Sequence, residues 1–216
     1  MNRLFGLMAG AAMIAAAAVP AHAQEAVRGK HAGDFLIGAS VIGVLPHSGG
    51  HVETIGGEPD ASDSWTGQID FTYFLMDTLS LNLIAATTRH ELDVKDSAIG
   101  DVDLGRVWAL PPTLTLQYHP LPQERFSPYI GVGVNYTVFY AEGGGRSAPV
   151  TDVDVKNAFG VALNAGLDIE IAPNWVANFD VKHLWLRPDV RVNDGAINAT
   201  TRLDPWIVGA GIRYRF

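Results

Sequence analysis

Along most of the chain the apolar residues fall on alternate positions and not in helical steps, which is the mark of strands whose two faces meet different surroundings. Eight segments carry the pattern. From Asp34 to Leu45, Phe35, Ile37, Ala39 and Val41 alternate with Asp34, Gly38 and Ser40; from Trp65 to Tyr73, Trp65, Ile69, Phe71 and Tyr73 alternate with Thr66, Gln68, Asp70 and Thr72. A third segment, Leu79 to Thr88, sets Leu81 and Leu83 against Ser80 and Asn82, and a fourth sets Trp108, Leu114, Leu116 and Tyr118 against Thr113, Thr115 and Gln117. The second half continues with Ile130 to Tyr140, Ala158 to Glu170, Phe179 to Trp185, and Trp206 to Phe216.

The connections alternate as well. Short ones are expected near Leu75–Thr78, Pro120–Arg125 and Ala172–Asn174, and long loops over 46–64, 90–105, 142–156 and 188–201. Both termini then share the end of the short turns. The expected fold is all-β, an eight-stranded antiparallel up-and-down transmembrane β-barrel with its short turns toward the periplasm.

A water-soluble barrel of lipocalin type would point the apolar face inward around a ligand. The aromatic residues argue against that. Trp65, Trp108, Trp185 and Trp206 stand on the apolar face at the long-loop end, while Phe35, Phe71, Tyr73, Tyr118, Trp175, Tyr214 and Phe216 stand on it at the short-turn end. Two aromatic girdles separated by aliphatic residues are what the two membrane interfaces select, so the apolar face meets lipid.

The opposite face changes character along the axis. Asp34, Asp70, Gln117, Asp168, Glu170, Asp180, Lys182, Arg213 and Arg215 fall inward near the short turns, where buried charges must pair, and predict a charged periplasmic plug. Above them Ile42, Val44, Ile84, Ala86, Ala109, Phe139, Ala158, Ala162, Leu184 and Leu186 predict an apolar upper lumen. Pro111 and Pro112 interrupt the fourth segment and Pro205 opens the last, and a proline gives the ladder no donor. Two readings follow: a kink or bulge near the rim, or a lateral opening from lumen to bilayer at Pro111 and Pro112.

Composition sets further bounds. A chain of 216 residues, 48% hydrophobic and without cysteine, fits one domain held without disulfides, and its net charge of −8 excludes a nucleic-acid partner. Arg3, the apolar run Leu4–Val19 and Ala21-His22-Ala23 read as a signal peptide over residues 1–23, leaving 24–216 as a single barrel domain in the outer membrane of a Gram-negative bacterium after Sec-type export. Enzyme chemistry lacks a constellation: His90 with Glu91 sits at a loop entrance, His183 has lipid-facing parity, and no nucleophile elbow accompanies either. His47 and His51 lack a firm ligand spacing, Gly143–Gly145 lacks the helix and lysine of a phosphate cradle, and no metal or cofactor is expected. The acidic residues Asp93, Asp96, Asp101, Asp103, Asp152 and Asp154 read as solvated loops that could hold cations bridging lipopolysaccharide.

The stretches FTYFLMDTLSLNLIAATTRHE (71–91), LPPTLTLQYHP (110–120), SPYIGVGVNYTVFY (127–140) and RLDPWIVGAGIRYRF (202–216) resemble the OmpW/AlkL family of outer-membrane proteins. The resemblance implies a barrel with a hydrophobic lumen associated with passage of small hydrophobic molecules, and sideways exit into the bilayer. It also implies that Ile212, Tyr214 and Phe216 form the signal that barrel-assembly machinery reads on a last strand. Lys182 departs from it, standing where the family would carry a large apolar residue. The competing reading is a structural or interaction barrel whose acidic loops contact ions, lipopolysaccharide or other cells; outer-membrane lipids are partners on either.

Overall fold

The computed structural model describes residues 27–47, 49–52, 58–97, 100, 102–143, 153–192 and 197–216. The expected signal peptide lies outside them. Every regular element among the described residues is a strand: β1 (Phe35–Leu45), β2 (Gly49–Val52), β3 (Glu58–Ala61), β4 (Ser64–Met76), β5 (Leu79–Ala86), β6 (Thr88–Lys95), β7 (Val102–Leu110), β8 (Thr113–Tyr118), β9 (Phe126–Gly143), β10 (Val153–Val155), β11 (Ala158–Ala172), β12 (Trp175–Leu186), β13 (Asp189–Val192), β14 (Ile197–Arg202) and β15 (Trp206–Arg215).

Eight of them close a barrel in the order β1, β4, β5, β8, β9, β11, β12, β15, with β15 returning to β1 and every pairing antiparallel. Closure leaves no free outer strand in the hydrocarbon, where an unpaired backbone group would cost several kcal/mol, about what burial of a bare amide costs, and the β5–β8 seam is interrupted only between Ile84↔Thr113 and Thr88↔Ala109 among the described residues. The register shifts between Phe74 and Met76 and between Glu170 and Ala172 are bulges beside short turns, where the chain must reverse sharply.

The loop end differs from expectation. The segments read as long loops carry further strands: β6 and β7 prolong β5 and β8, β3 adds beyond β6, and β10, β13, β14 and β2 form a separate four-stranded sheet. Period-two polarity marks a strand only where one face meets lipid or core. Beyond the bilayer the ladder persists in short pieces set among loop residues; DVRV (Asp189–Val192) alternates, but over only four residues, too short a run to stand apart from its loop.

Side-chain parity follows the sequence reading. Val41, Ile69, Ile130, Val132 and Phe179 are exposed on the outer face, whereas Asp70, Asn82, Asn164, Asp168 and Arg213 are buried on the inner one. This is a protein turned inside out relative to a soluble one, as a barrel in lipid must be.

Candidate functional site: a closed bore with an interrupted wall

The lower bore is built by side chains that reach across glycine. Gly38 lies between Arg213 on β15 and Asp70 on β4 in the ladder, and a Cβ there would run into the Asp70 carboxylate. Through that gap Arg213 donates from Nε to Asp70 Oδ1 at 2.8 Å, and from Nη1 to Asp168 Oδ1 at 2.9 Å. Gly166 plays the same part between β9 and β12. It stands opposite both Tyr129 and Asp180, and the Tyr129 hydroxyl crosses it to donate to Asp180 Oδ2 at 2.8 Å. Asn178 Nδ2 donates to Asp168 at 2.8 Å and to Tyr129 at 2.9 Å, Asn164 Nδ2 donates to Asp180 at 2.9 Å, and Lys182 pairs with Asp180.

The remaining closure comes from a segment whose role the sequence pattern does not show. Residues 27–34 run beneath the barrel and are pinned to all three short turns. Arg28 donates to Asn174 at 2.9 Å, Lys30 N donates to Pro122 O at 2.9 Å, and Ala32 N donates to Asp77 at 2.8 Å. Lys30 turns up into the bore, where its ammonium meets Asp168 at 2.8 Å and His119 Nδ1 at 3.3 Å. Glu170 accepts from Arg215 Nη2 at 2.8 Å and from the backbone of Arg28 and Gly29. Burial lowers the pKa of Lys30 from its ordinary value, with Asp168 opposing that shift. Burial, then the neighbouring Lys30 charge, push His119 down to about 3. A neutral His119 accepts from Lys30 through Nδ1 and donates through Nε2 to Ser80 Oγ at 3.0 Å.

The expected plug residues Asp70, Asp168, Glu170, Asp180, Lys182, Arg213 and Arg215 therefore join one network, and Asp34 joins its rim through Arg28 at 3.2 Å. Lys30, Arg28, His119, Tyr129, Asn164 and Asn178 belong to it too and were not foreseen as members. Inward parity marks Tyr129, Asn164 and Asn178; nothing in the pattern marks Lys30, which stands outside any strand.

Above the network the bore is apolar on the side of β1, β5, β11, β12 and β15, while buried and hydrogen-bonded Thr113, Asn135 and Thr137 line it on β8 and β9. Ile42, Val44, Ala86, Ala162, Leu184 and Ile207 form one buried cluster, with Leu184 only 1% exposed, so these side chains pack against one another across the lumen. Ile84 and Leu186 are also inward and buried, and Phe139 points inward but is half-buried. Pro111 and Pro112 separate β7 from β8. On the β9 side the wall holds: Tyr136 N donates to Pro112 O at 3.1 Å, and Asn135 Nδ2 reaches the same oxygen at 3.2 Å. On the other side the last β5–β8 pair is Ile84 with Thr113, and the first β6–β7 pair is Thr88 with Ala109. Among the described residues no ladder pair joins 85–87 to 110–112. The register is the same above and below this interruption, so the prolines unzip the ladder without shifting it.

Outside, two aromatic bands ring the barrel. The upper one includes exposed Trp65, Trp185 and Trp206 with half-buried Trp108, and His183 is set 4.6 Å from both Trp185 and Trp206. The lower one contains Trp175, Tyr214 and Phe216 in edge contacts of 5.0 and 4.9 Å, and Phe35 stacked on Phe71 at 6.4 Å. Ile212, Tyr214 and Phe216 all face outward on the closing strand.

A closed antiparallel barrel with an apolar, doubly girdled outer face and a sealed polar base is an integral outer-membrane protein. Within that class the family is defined by sequence: the OmpW family profile matches residues 31–216, and the chain belongs to that family. It is 37% identical over 179 residues to the uncharacterized outer-membrane protein y4mB of Sinorhizobium fredii, covering 81% of this chain and 76% of that one. Outer membrane protein W of Escherichia coli is 32% identical over 212 residues, covering 94% of this chain and 98% of its own. The dibenzothiophene metabolism operon protein PahQ of Pseudomonas aeruginosa is 29% identical over 163 residues, 74% of this chain and 76% of that one. The crystal structure of OprG from Pseudomonas aeruginosa superposes with a TM-score of 0.81 at 26% identity, covering 88% of this chain and 99% of that one.

Proposed function

We propose that the barrel is a non-enzymatic, porin-like conduit that gives small hydrophobic molecules passive passage, through the apolar upper lumen and sideways between 85–87 and 110–112 into the bilayer. One observation carries the reading: Ala86 belongs both to the buried apolar cluster and to the unzipped stretch of wall. A molecule among Ile42, Leu184 and Ile207 is thus one residue from lipid. Its apolar burial supplies roughly 25 cal/mol per Å² before ordering costs, and no energy source is required. A relative named for a dibenzothiophene metabolism operon fits such a cargo. Ile212, Tyr214 and Phe216 serve, on this reading, as the signal for barrel-assembly machinery.

The packing of the cluster favours a second reading, a non-transporting scaffold whose lumen is filled and whose loops contact ions, lipopolysaccharide or other cells. A cross-link decides between them. Continuing the register places Ala86 opposite Pro111, and the chain has no cysteine of its own. In an Ala86→Cys/Pro111→Cys variant reconstituted into liposomes, conduction of a hydrophobic tracer should stop on oxidation and return on reduction. Uptake no higher than in protein-free liposomes in either state supports the scaffold, and equal uptake above that level refutes an exit at this wall.

A further inference from the structure

Between the aromatic bands the outward face carries no Asp, Glu, Lys or Arg among the described residues. Immediately above the upper band this changes. Arg89 on β6 stands directly opposite Trp108 on β7, and Arg106, two residues from Trp108 on the same face, stands opposite Glu91. Both arginines are exposed, and Arg187 repeats the step two residues beyond Trp185 on the far side of the barrel. A chain of net charge −8 thus sets cationic groups just outside its outer interface.

We infer that Arg89 and Arg106, with Trp108 beneath them, form a docking site for a phosphate of lipid A in the outer leaflet. Diagonal neighbours on paired strands lie about 7–8 Å apart, a separation that two arginine side chains close around one phosphate. The guanidinium fork matches phosphate oxygens in pairs, and the outer interface is the depth at which lipid A presents them. Arg89 is already held at 3.6 Å by Glu91, but both side chains are solvent-exposed, so that pairing is weak and gives way to a group of higher charge. Below the arginines, Trp108 is flanked by Tyr140 on β9, whose hydroxyl donates to Thr87 Oγ1 at 3.3 Å. This aromatic ledge leads down to Pro111 and Pro112, so acyl chains hanging from the docked phosphate lie over the unzipped wall. The site depends on the lipid-facing assignment of these strands and is independent of whether anything passes through the bore.

The test is native mass spectrometry of the detergent-solubilised mature protein with purified diphosphoryl lipid A, its dephosphorylated form, or phosphatidylglycerol. Wild-type protein should retain diphosphoryl lipid A, and Arg89→Gln/Arg106→Gln should weaken retention by on the order of tenfold per arginine lost. Arg125→Gln, exposed at the periplasmic end, should change nothing. Glu91→Gln should tighten binding, an effect of opposite sign that a general loss of structure cannot mimic. Retention by the double variant equal to wild type, or equal retention of dephosphorylated lipid A or phosphatidylglycerol, overturns the site.

Discussion

Arg213 offers the sharpest test of the lower bore, because its two carboxylates depend on it unequally. Replacing it with leucine removes a donor at 2.8 Å from Asp70 and another at 2.9 Å from Asp168. Asp168 keeps Lys30 at 2.8 Å and Asn178 at 2.8 Å. Among the described residues Asp70 keeps only Asn82 Nδ2, at 3.4 Å. Removing one partner of a buried pair costs about 3–5 kcal/mol, and here the cost falls almost wholly on Asp70. Arg213→Leu should therefore lose stability of that order. Adding Asp70→Asn should recover all but about 1–2 kcal/mol, because a neutral amide tolerates burial with fewer partners. Adding Asp168→Asn instead should recover little, since it strands Lys30. The assay is urea unfolding in lipid vesicles followed by tryptophan emission, with the Asp70→Asn and Asp168→Asn single variants included so that each rescue closes a double-mutant cycle. Arg213→Leu within about 1 kcal/mol of wild type, or equal rescue by either asparagine, would refute the assignment of charges.

Three further outcomes follow from the same geometry. Lys30→Met should cost only about 1–2 kcal/mol by the same unfolding assay, since Asp168 retains Arg213 and Asn178; a loss as large as that of Arg213→Leu would mean that Lys30 is the principal counter-ion. His119 has a folded pKa of about 3 against 6.5 for the free side chain, so the unfolded chain takes up the proton first. Its contribution is complete above pH 6.5 and is lost as the pH falls toward 3, up to about 1.4 kcal/mol per pH unit. His119→Gln should flatten that part of the stability profile, and an unchanged slope would place the titration elsewhere. Lipids brominated along the acyl chain should quench the emission of Trp65, 68% exposed on the outer face, whereas a water-soluble quencher should not; the reverse result would invert the barrel.

The outer face, the closing order of the strands and the charged base of the bore beneath an apolar cluster were all legible in the sequence, because each leaves a period-two trace. Asp70, Asp180 and Arg213 declare themselves as inward simply by standing between lipid-facing neighbours. Which acid meets which base was not legible, for that depends on register. Arg213 finds Asp70 only because Gly38 lies between them on the intervening strand, and Tyr129 finds Asp180 only because Gly166 does. A glycine at an inward position thus carries information once the neighbouring strands are aligned. Apart from Asp34, the strap of residues 27–34 left no trace, since an irregular segment has no period and its backbone bonds go to turns distant in sequence. The extra strands beyond the bilayer escaped because several of them, such as DVRV (Asp189–Val192) at four residues, are too short for their alternation to stand out from the loops around them.

The two ends of the apolar cluster are closed by unequal means, and that inequality bears on the proposed route. Downward, a hydrophobic molecule would have to part Arg213 from Asp70 and Asp168, and Lys30 from Asp168, while offering no polar group in return. Each buried pair broken costs about 3–5 kcal/mol, so even one such event outweighs the gain from burying a few methylene groups, at about 0.8 kcal/mol each. Sideways there is no ladder bond to break between 85–87 and 110–112, because the prolines have already removed the donors. What holds the wall there is side-chain packing around Ala86 and the Tyr140 hydroxyl bonded to Thr87 Oγ1 at 3.3 Å, and both can yield without stranding a charge. The strap strengthens the contrast: by tying Arg28, Lys30 and Ala32 each to one of the three short turns it makes the base one connected body, so opening it partway relieves none of the cost. On the proposed function, a barrel sealed in this manner below and only zipped by contact at one side would direct an apolar occupant toward lipid.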